Sequence, residues 1–267
     1  MSEMGPGIPD DVHPAGSEQA ARDAMDAEDG DLAQSLAALS RLSSGRLSLE
    51  DLLTRVATFA VQAIPGADGA GLTLIEEDRA DTIVKSAPFV REIDDIQYSL
   101  GEGPCISAAE LRQTMRSGSL GGDLRWPRFG ARVGRLGVHS VLSLPLISDD
   151  TVVGAMNVYA HAPNSFDERS ARLGELFAVP AAIAVQNAQI LAQTQRLAAN
   201  LQAALTNRAV IDQAIGIMMS RAGVSSDDAF ARLRKLSQQE HLKVAAVAAG
   251  IVQEAVRRAR ARRTDGN

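Results

Sequence analysis

Residues 1–31 mix Pro, Gly, Asp and Glu with few large apolar side chains, too little surface to support a fold, so a disordered tail is expected there. From Asp31 to Ile64 the apolar positions settle into steps of three and four. Leu32, Leu36 and Leu39 mark one amphipathic helix, and Leu49, Leu52, Leu53, Val56, Phe59 and Ala60 mark a second that Ser48 can cap through Asp51. The period then drops to two. Gly69–Glu76 places Ala70, Leu72 and Leu74 on one face of a strand, and Thr82–Ala87 reads as its neighbour, with Thr73 and Ser86 on or near an inner cavity. Segments 138–147 and 151–160 read as a hairpin turned at Asp149-Asp150, and Ser165 with Glu168 has the spacing of a capping box opening the next helix. Strands flanked by helices without regular β-α-β alternation predict an antiparallel sheet with helices at its sides, an α+β fold.

Beyond Ile183 the steps of four and three continue without a break through Asn187, Ile190, Thr194, Leu197, Leu201, Ala204, Arg208, Ile211, Ile215 and Met218. Such a seam fits a helix packed inside its own chain or, better, the core of a parallel coiled-coil homodimer. The dimer is favoured because a second stripe, Val210, Ala214 and Ile217, is left to pack on the helices that follow.

Charge is distributed unevenly. The chain's net charge of −6 hides an N-terminal segment (1–31) at −8, a middle (32–195) at −4 and a C-terminal segment (196–267) at +6. A nucleic-acid partner is therefore sought at the C-terminal end, where the bland alternative is an Arg-rich solvated helix face. The single cysteine excludes an intramolecular disulfide framework, and the four histidines (His13, His139, His161, His241) lack ligand spacing, so no metal site is expected. The acidic start has no apolar signal region, and the apolar run Phe177–Val185 is short and contains Pro180. A soluble, cytoplasmic protein with no membrane partner is the expectation.

The C-terminal segment carries the most specific pattern. Between Arg208 and Leu242 helical spacing breaks at Ala222-Gly223 and resumes after Ser225, which can cap a new helix through Asp228. The run Ile211-Asp212-Gln213-Ala214-Ile215-Gly216-Ile217-Met218-Met219, followed by Ala229-Phe230 and Leu233-Arg234, resembles an ANTAR domain. Upstream, Leu100-Gly101-Glu102-Gly103-Pro104-Cys105, Ser140–Leu146 and Val153–Tyr159 resemble a GAF (PAS-like) sensory domain, and the pairing looks actinobacterial in type. The resemblance implies a GAF domain over 32–190, a coiled-coil linker over 191–205, a three-helix ANTAR domain over 206–260 and a disordered basic tail over 261–267. It also implies a partner: structured RNA, bound as stem-loops in transcription antitermination under control of the GAF domain.

In the ANTAR family an Ala-Lys-Gly triplet, an aromatic and a nearby basic residue form the recognition surface. Here the triplet is Ala214-Ile215-Gly216, so the lysine is missing and Ile215 falls on the heptad seam instead. Gly216 inside a helix suggests the close approach of another backbone. Arg208, Gln213, Gly216, Phe230, Arg234, Lys235 and Lys243 are the RNA-contact candidates, although a core role is the more common one for a residue such as Phe230. Arginine suits this role because its planar fork donates two hydrogen bonds and stacks on unpaired bases. The GAF resemblance implies a pocket between the sheet and its covering loops, for which Tyr98, Cys105, Trp126, Phe129, His139, Asn157 and Tyr159 are candidates. Each also has a plain packing role: Cys105 as a small buried group near a helix start, Trp126 as a loop anchor, Asn157 and Tyr159 as mutual partners. The pocket's small-molecule ligand is left open and no cofactor is named; a haem would have only His139 to bind it.

Two other classes fit the sequence less well. A DNA-binding regulator would use a recognition helix over 226–239, which is less basic than major-groove readers usually are. A redox enzyme on a GAF scaffold would want a resolving thiol beside Cys105, and no catalytic triad, carboxylate pair, phosphate loop or zinc signature is present either. A regulator rather than an enzyme is expected.

Overall fold

The computed structural model of the chain describes residues 15–42, 47–76 and 79–264. They divide after Ala192 into two units. The first holds five antiparallel strands, β1 (Gly69–Glu76), β2 (Arg79–Lys85), β3 (Met115–Ser117), β4 (Ser140–Ser148) and β5 (Thr151–Ala160), in the order β2-β1-β5-β4-β3. β5 lies at the centre: Met156 faces Leu72 of β1 on one side and Leu144 of β4 on the other. Asp149 and Asp150 both take left-handed backbone angles (φ 47° and 61°), the geometry of a two-residue turn whose twist matches the strands it joins. The hairpin thus closes on the residues its sequence pattern indicates.

One face of the sheet is covered by α1 (Ala15–Arg41), α2 (Leu49–Ala63) and the first part of α6 (Glu168–Ala222). Leu53 and Val56 of α2, Leu72, Leu142 and Met156 of the sheet, and Phe177, Ala181 and Val185 of α6 share one core. A fully buried side chain of this size contributes roughly 1.5–3 kcal/mol. The other face carries α3 (Pro88–Leu100), α4 (Pro104–Leu111) and α5 (Pro127–Val133), whose Val90, Ile93, Ala108, Phe129 and Val133 pack with Trp126, Val141 and Tyr159. Each of these three helices opens on proline, which fixes φ at the first helical position where its missing N–H has no partner to lose.

Three features depart from the sequence pattern. First, α1 begins at Ala15, inside the stretch expected to be disordered. Arg169 donates from Nε to Glu28 (2.6 Å) and from Nη2 to Asp29 (2.8 Å) and the Met25 carbonyl (2.9 Å), while Leu32 and Leu39 enter the core. Composition alone could not register an anchor so distant in the chain; residues 1–14 of the expected tail lie outside the described residues. Second, the cap of α6 is Asp167, not Ser165: Asp167 Oδ1 accepts from Ser170 N (2.8 Å) and Ser170 Oγ (3.0 Å), whereas Ser165 Oγ donates to Ala162 O (2.8 Å). Third, α6 runs unbroken to Ala222 and is long and apolar enough to cross a membrane by length and composition, with 33% of that window buried. In the first unit its outward residues are Leu176, Val179, Ile183 and Ile190, so the exposed apolar series begins upstream of the expected seam.

The second unit consists of the last part of α6, α7 (Ser226–Glu240) and α8 (Val244–Thr264). Ala214, Leu233, Val247 and Ala248 form its core, joined by Val210, Ile211, Met218, Leu236 and Ile251. Ile211 and Met218, expected on the dimer seam, thus pack within their own chain, whereas Leu197, Leu201 and Leu205 stay exposed. Gly223 (φ 63°) ends α6, and Ser225 caps α7 by accepting from Asp228 N at 3.2 Å, as its spacing indicates. α8 runs past the boundary expected at 260, and residues 265–267 lie outside the described residues.

The capping assignment makes a prediction. Asp167→Ala removes the acceptor for two donors at the start of α6 and should cost about 1 kcal/mol. Urea unfolding of the full chain measures it; an unchanged midpoint would leave the start of α6 without the cap described here.

Candidate functional site

Strand alternation that sends Leu72, Met156 and Leu142 to one face sends Thr73, Asn157 and Ser143 to the other, giving α3 a polar floor. Ser143 Oγ donates to Asn157 Oδ1 (2.8 Å), Asn157 Nδ2 donates to Asp94 Oδ1 (3.2 Å), and the Tyr159 hydroxyl donates to that same oxygen (2.7 Å). One turn along α3, Gln97 Oε1 accepts the backbone N–H of Cys105 (2.8 Å). The Tyr98 hydroxyl bonds Thr73 Oγ1 and lies 3.5 Å from Cys105 Sγ. Asp94, Gln97, Ser143, Asn157 and Tyr159 are fully buried, and Tyr98 is half-buried.

Burial dominates the electrostatics of this network. It pushes the Asp94 carboxyl up to about 7, against the Tyr159 and Asn157 hydrogen bonds that favour the charge. It pushes the Cys105 thiol up to about 11, with the nearby Asp94 charge adding to the effect, and raises the Tyr159 and Tyr98 phenols above their ordinary range. A thiol held in this way is a poor nucleophile.

The loop between α3 and α4 braces the site. Glu102 Oε1 accepts from the backbone N–H groups of Arg128 (2.8 Å) and Phe129 (3.1 Å), and its Oε2 accepts from Arg128 Nε (2.9 Å), so it caps α5. Those bonds hold its carboxyl below the usual range. Trp126 Nε1 donates to Ser107 Oγ (2.9 Å) and its ring lies under the Arg125 guanidinium at 4.3 Å.

The second unit presents a different surface. Phe230 is 38% exposed on α7, with the Arg234 guanidinium 5.4 Å from its ring centre, so the core role that is the commoner one for such a residue is not the one it takes. Arg208, Lys235 and Lys243 are exposed. Gln213 and Gly216 line a groove of about 510 Å³ with Ile217, Ser220, Arg221, Val252 and Ala255. A Cβ on Gly216 would meet nothing within 4 Å, so among the described residues no backbone beyond its own helix approaches it, against the expectation. Arg257 and Arg258 both pair with Glu254.

Family comparison matches the GAF domain over residues 46–186 and the ANTAR domain over residues 199–252. The chain belongs to the GAF and ANTAR domain proteins. No curated protein matches the sequence. Among solved structures it is similar to the GAF domain of a phosphoenolpyruvate-protein phosphotransferase from Acinetobacter (15% identity, TM-score 0.47, covering 61% of this chain and 97% of that one). It is also similar to a putative GAF sensor protein from Burkholderia vietnamiensis (18%, 0.46, 62% and 98%) and to free methionine-R-sulfoxide reductase from Neisseria meningitidis (17%, 0.45, 59% and 87%).

Of the pocket residues named from sequence, the GAF domain brings Tyr98, Cys105, Asn157 and Tyr159 into one network. Trp126 and Phe129 pack beside it in the apolar cluster that includes Tyr159. His139 is placed by its backbone, donating to Ala160 O (3.0 Å) and accepting from Leu120 N (2.8 Å), and its ring is not among the groups that bond in the network. Asp94, Gln97 and Ser143 were missed. The signal for two of them was present: Val90, Ile93, Asp94 and Gln97 recur at helical spacing, so polar residues interrupt an apolar stripe. Among the described residues no cluster of His, Cys, Asp and Glu could hold a metal ion.

The Asp94 assignment predicts a pH dependence. Its carboxyl titrates near 7 in the folded domain against 3.8 for the free group, so between these values the folded state keeps a proton that the unfolded chain has released. The stability contribution is therefore full below about pH 4 and is lost as pH rises through 7, by on the order of a few kcal/mol. Asp94→Asn removes this dependence. Unfolding of both proteins between about pH 5 and 8 should show the variant gaining on wild type as pH rises; parallel curves would refute the assignment.

Proposed function

We propose that this protein is a signal-responsive RNA-binding regulator, acting in transcription antitermination, whose GAF domain receives a small molecule and whose ANTAR domain binds RNA stem-loops. A GAF domain joined to an ANTAR domain is the architecture of a regulator rather than an enzyme. The observation that carries the RNA reading is the exposed Phe230–Arg234 pair on α7, within a segment whose net charge is +6. An exposed aromatic beside a guanidinium offers stacking to an unpaired base and hydrogen bonds to its edge or phosphate. Gln213 and Gly216, open to a groove with no Cβ in the way, offer a second place for backbone or base contact, and Arg208, Lys235 and Lys243 supply the surrounding positive charge. The closed, single Cys105 speaks against the redox alternative, since its thiol is buried and the chain has no second one. On this reading the protein acts in the cytoplasm, where its RNA targets would be.

The homodimer is part of the same reading. Leu176, Ile183, Ile190 and Leu197 recur every seven residues on α6, each at least 49% exposed, and Leu201 adds to them at 58%. A second copy of the helix would cover these residues, which keeps the helix's membrane-like composition consistent with a protein in water.

Two outcomes are expected. Gel-shift titration of the full chain against paired hairpins should show Phe230→Ala and Arg234→Ala each weakening binding by about 1–3 kcal/mol. Wild-type affinity that is equal for scrambled loops and for duplex DNA would instead make the segment a general polyanion binder. Light scattering should give a dimer for wild type and a monomer for the double variant Leu197→Asp, Leu201→Asp; unchanged mass would remove the α6 interface.

A further inference from the structure

Among the described residues two buried side-chain atoms have no hydrogen-bond partner: Asp94 Oδ2 and Gln97 Nε2. They sit three residues apart on α3, hence on one face and in one turn. Every other buried polar side chain in this network is matched, and an unmatched buried group costs roughly 1–3 kcal/mol, so two together mark a place built to be completed by something else.

The identity of each free atom is fixed by its neighbours. Gln97 Oε1 is held by the Cys105 N–H, which leaves the amide's NH₂ as the free end, a donor only. Asp94 Oδ1 already accepts from both Tyr159 and Asn157, which leaves Oδ2 as the free end, an acceptor when the carboxyl is ionised. The groups bonded in this network, from Thr73, Tyr98, Cys105, Ser143, Asn157 and Tyr159, include no cation to offset a second negative charge. An anionic ligand would therefore meet Asp94 unscreened, and a cationic one would set its N–H groups against the Gln97 NH₂.

We propose that Asp94 and Gln97 form the recognition point of the GAF domain for a small neutral ligand with an amide or lactam edge, its N–H donating to Asp94 Oδ2 and its C=O accepting from Gln97 Nε2. This names the ligand class within the sensory reading given above. Tyr98 is the half-buried member of the network, and Trp126, Phe129 and Tyr159 belong to the apolar cluster that adjoins it.

The test uses the full chain without RNA, so its outcome is independent of the gel-shift result. Thermal unfolding and calorimetric titration at about pH 8 are run with uracil and 2-pyrrolidone as lactam probes, acetate and nitrate as anions, and methylguanidinium as a cation. The lactams should raise the midpoint and bind at least tenfold more tightly than either anion or the cation. Asp94→Asn keeps an acceptor for Tyr159 and Asn157 but turns the free acceptor into a donor; it should lose the lactam preference by tenfold or more and take up acetate in its place. Its own thermal transition, cooperative in the absence of probe, shows that it is folded. An anion or the cation binding wild type as well as the lactams do, an unchanged lactam preference in Asp94→Asn, or no response to any probe would each overturn the proposal, the last by leaving the two atoms to water.

Discussion

Because successive side chains of a strand leave on opposite faces, β5 sends Met156, Val158 and Ala160 to one side of the sheet and Ala155, Asn157 and Tyr159 to the other. β4 repeats the division with Leu142 and Leu144 against Val141 and Ser143, and β1 with Leu72 and Leu74 against Thr73. The register that sets Asn157 opposite Ser143 and Tyr159 opposite Val141 is what brings the polar members of one face together. A slip of one residue would exchange the faces, burying Asn157 against α2 and α6 with no partner and turning the apolar row onto Asp94 and Gln97. The sheet therefore carries both the dry core that stabilises the domain and the hydrogen-bonded layer that gives it chemistry, and neither can be moved without the other.

The helix α6 is constrained in a comparable way. Its first part must offer Phe177, Ala181 and Val185 to the sheet and its last part must offer Val210, Ala214 and Met218 to α7 and α8. Those demands leave its remaining apolar positions facing outward, and the proline at 180 falls where the helix is already held by the sheet's core. A shift in how the GAF domain grips the start of the helix would reach the ANTAR core through the same continuous backbone, provided that a ligand favours one arrangement over the other.

Much of the fold was legible because its signals are local. The alternation of Gly69–Glu76, the Asp149-Asp150 turn and the caps at Ser48 and Ser225 each involve residues within a few positions of one another. The start of α1 was not legible because its acidic residues are anchored by Arg169, an interaction that composition cannot reveal. The true cap of α6 was missed because Ser165 has the capping-box spacing to Glu168, whereas Asp167 meets Ser170 at that spacing and shows itself as the cap only through the backbone direction. In the site, Tyr98, Cys105, Asn157 and Tyr159 stood out as unusual residues at inward positions of recognisable motifs. Asp94 and Gln97 did not, although they continue the helical stripe of Val90 and Ile93, since a carboxylate and an amide on a helix ordinarily read as solvent-facing.

The closed environment of Cys105 has a practical meaning for work on this protein. The chain's one sulfhydryl is sealed beneath α3 and resists ionisation, so thiol-specific reagents at neutral pH will meet an essentially inert native background. A cysteine introduced at an outward position such as Leu205 or Lys243 would then be the sole reactive handle. Fluorophores or spin labels could thus be attached to one chosen point without first rebuilding the sensory domain.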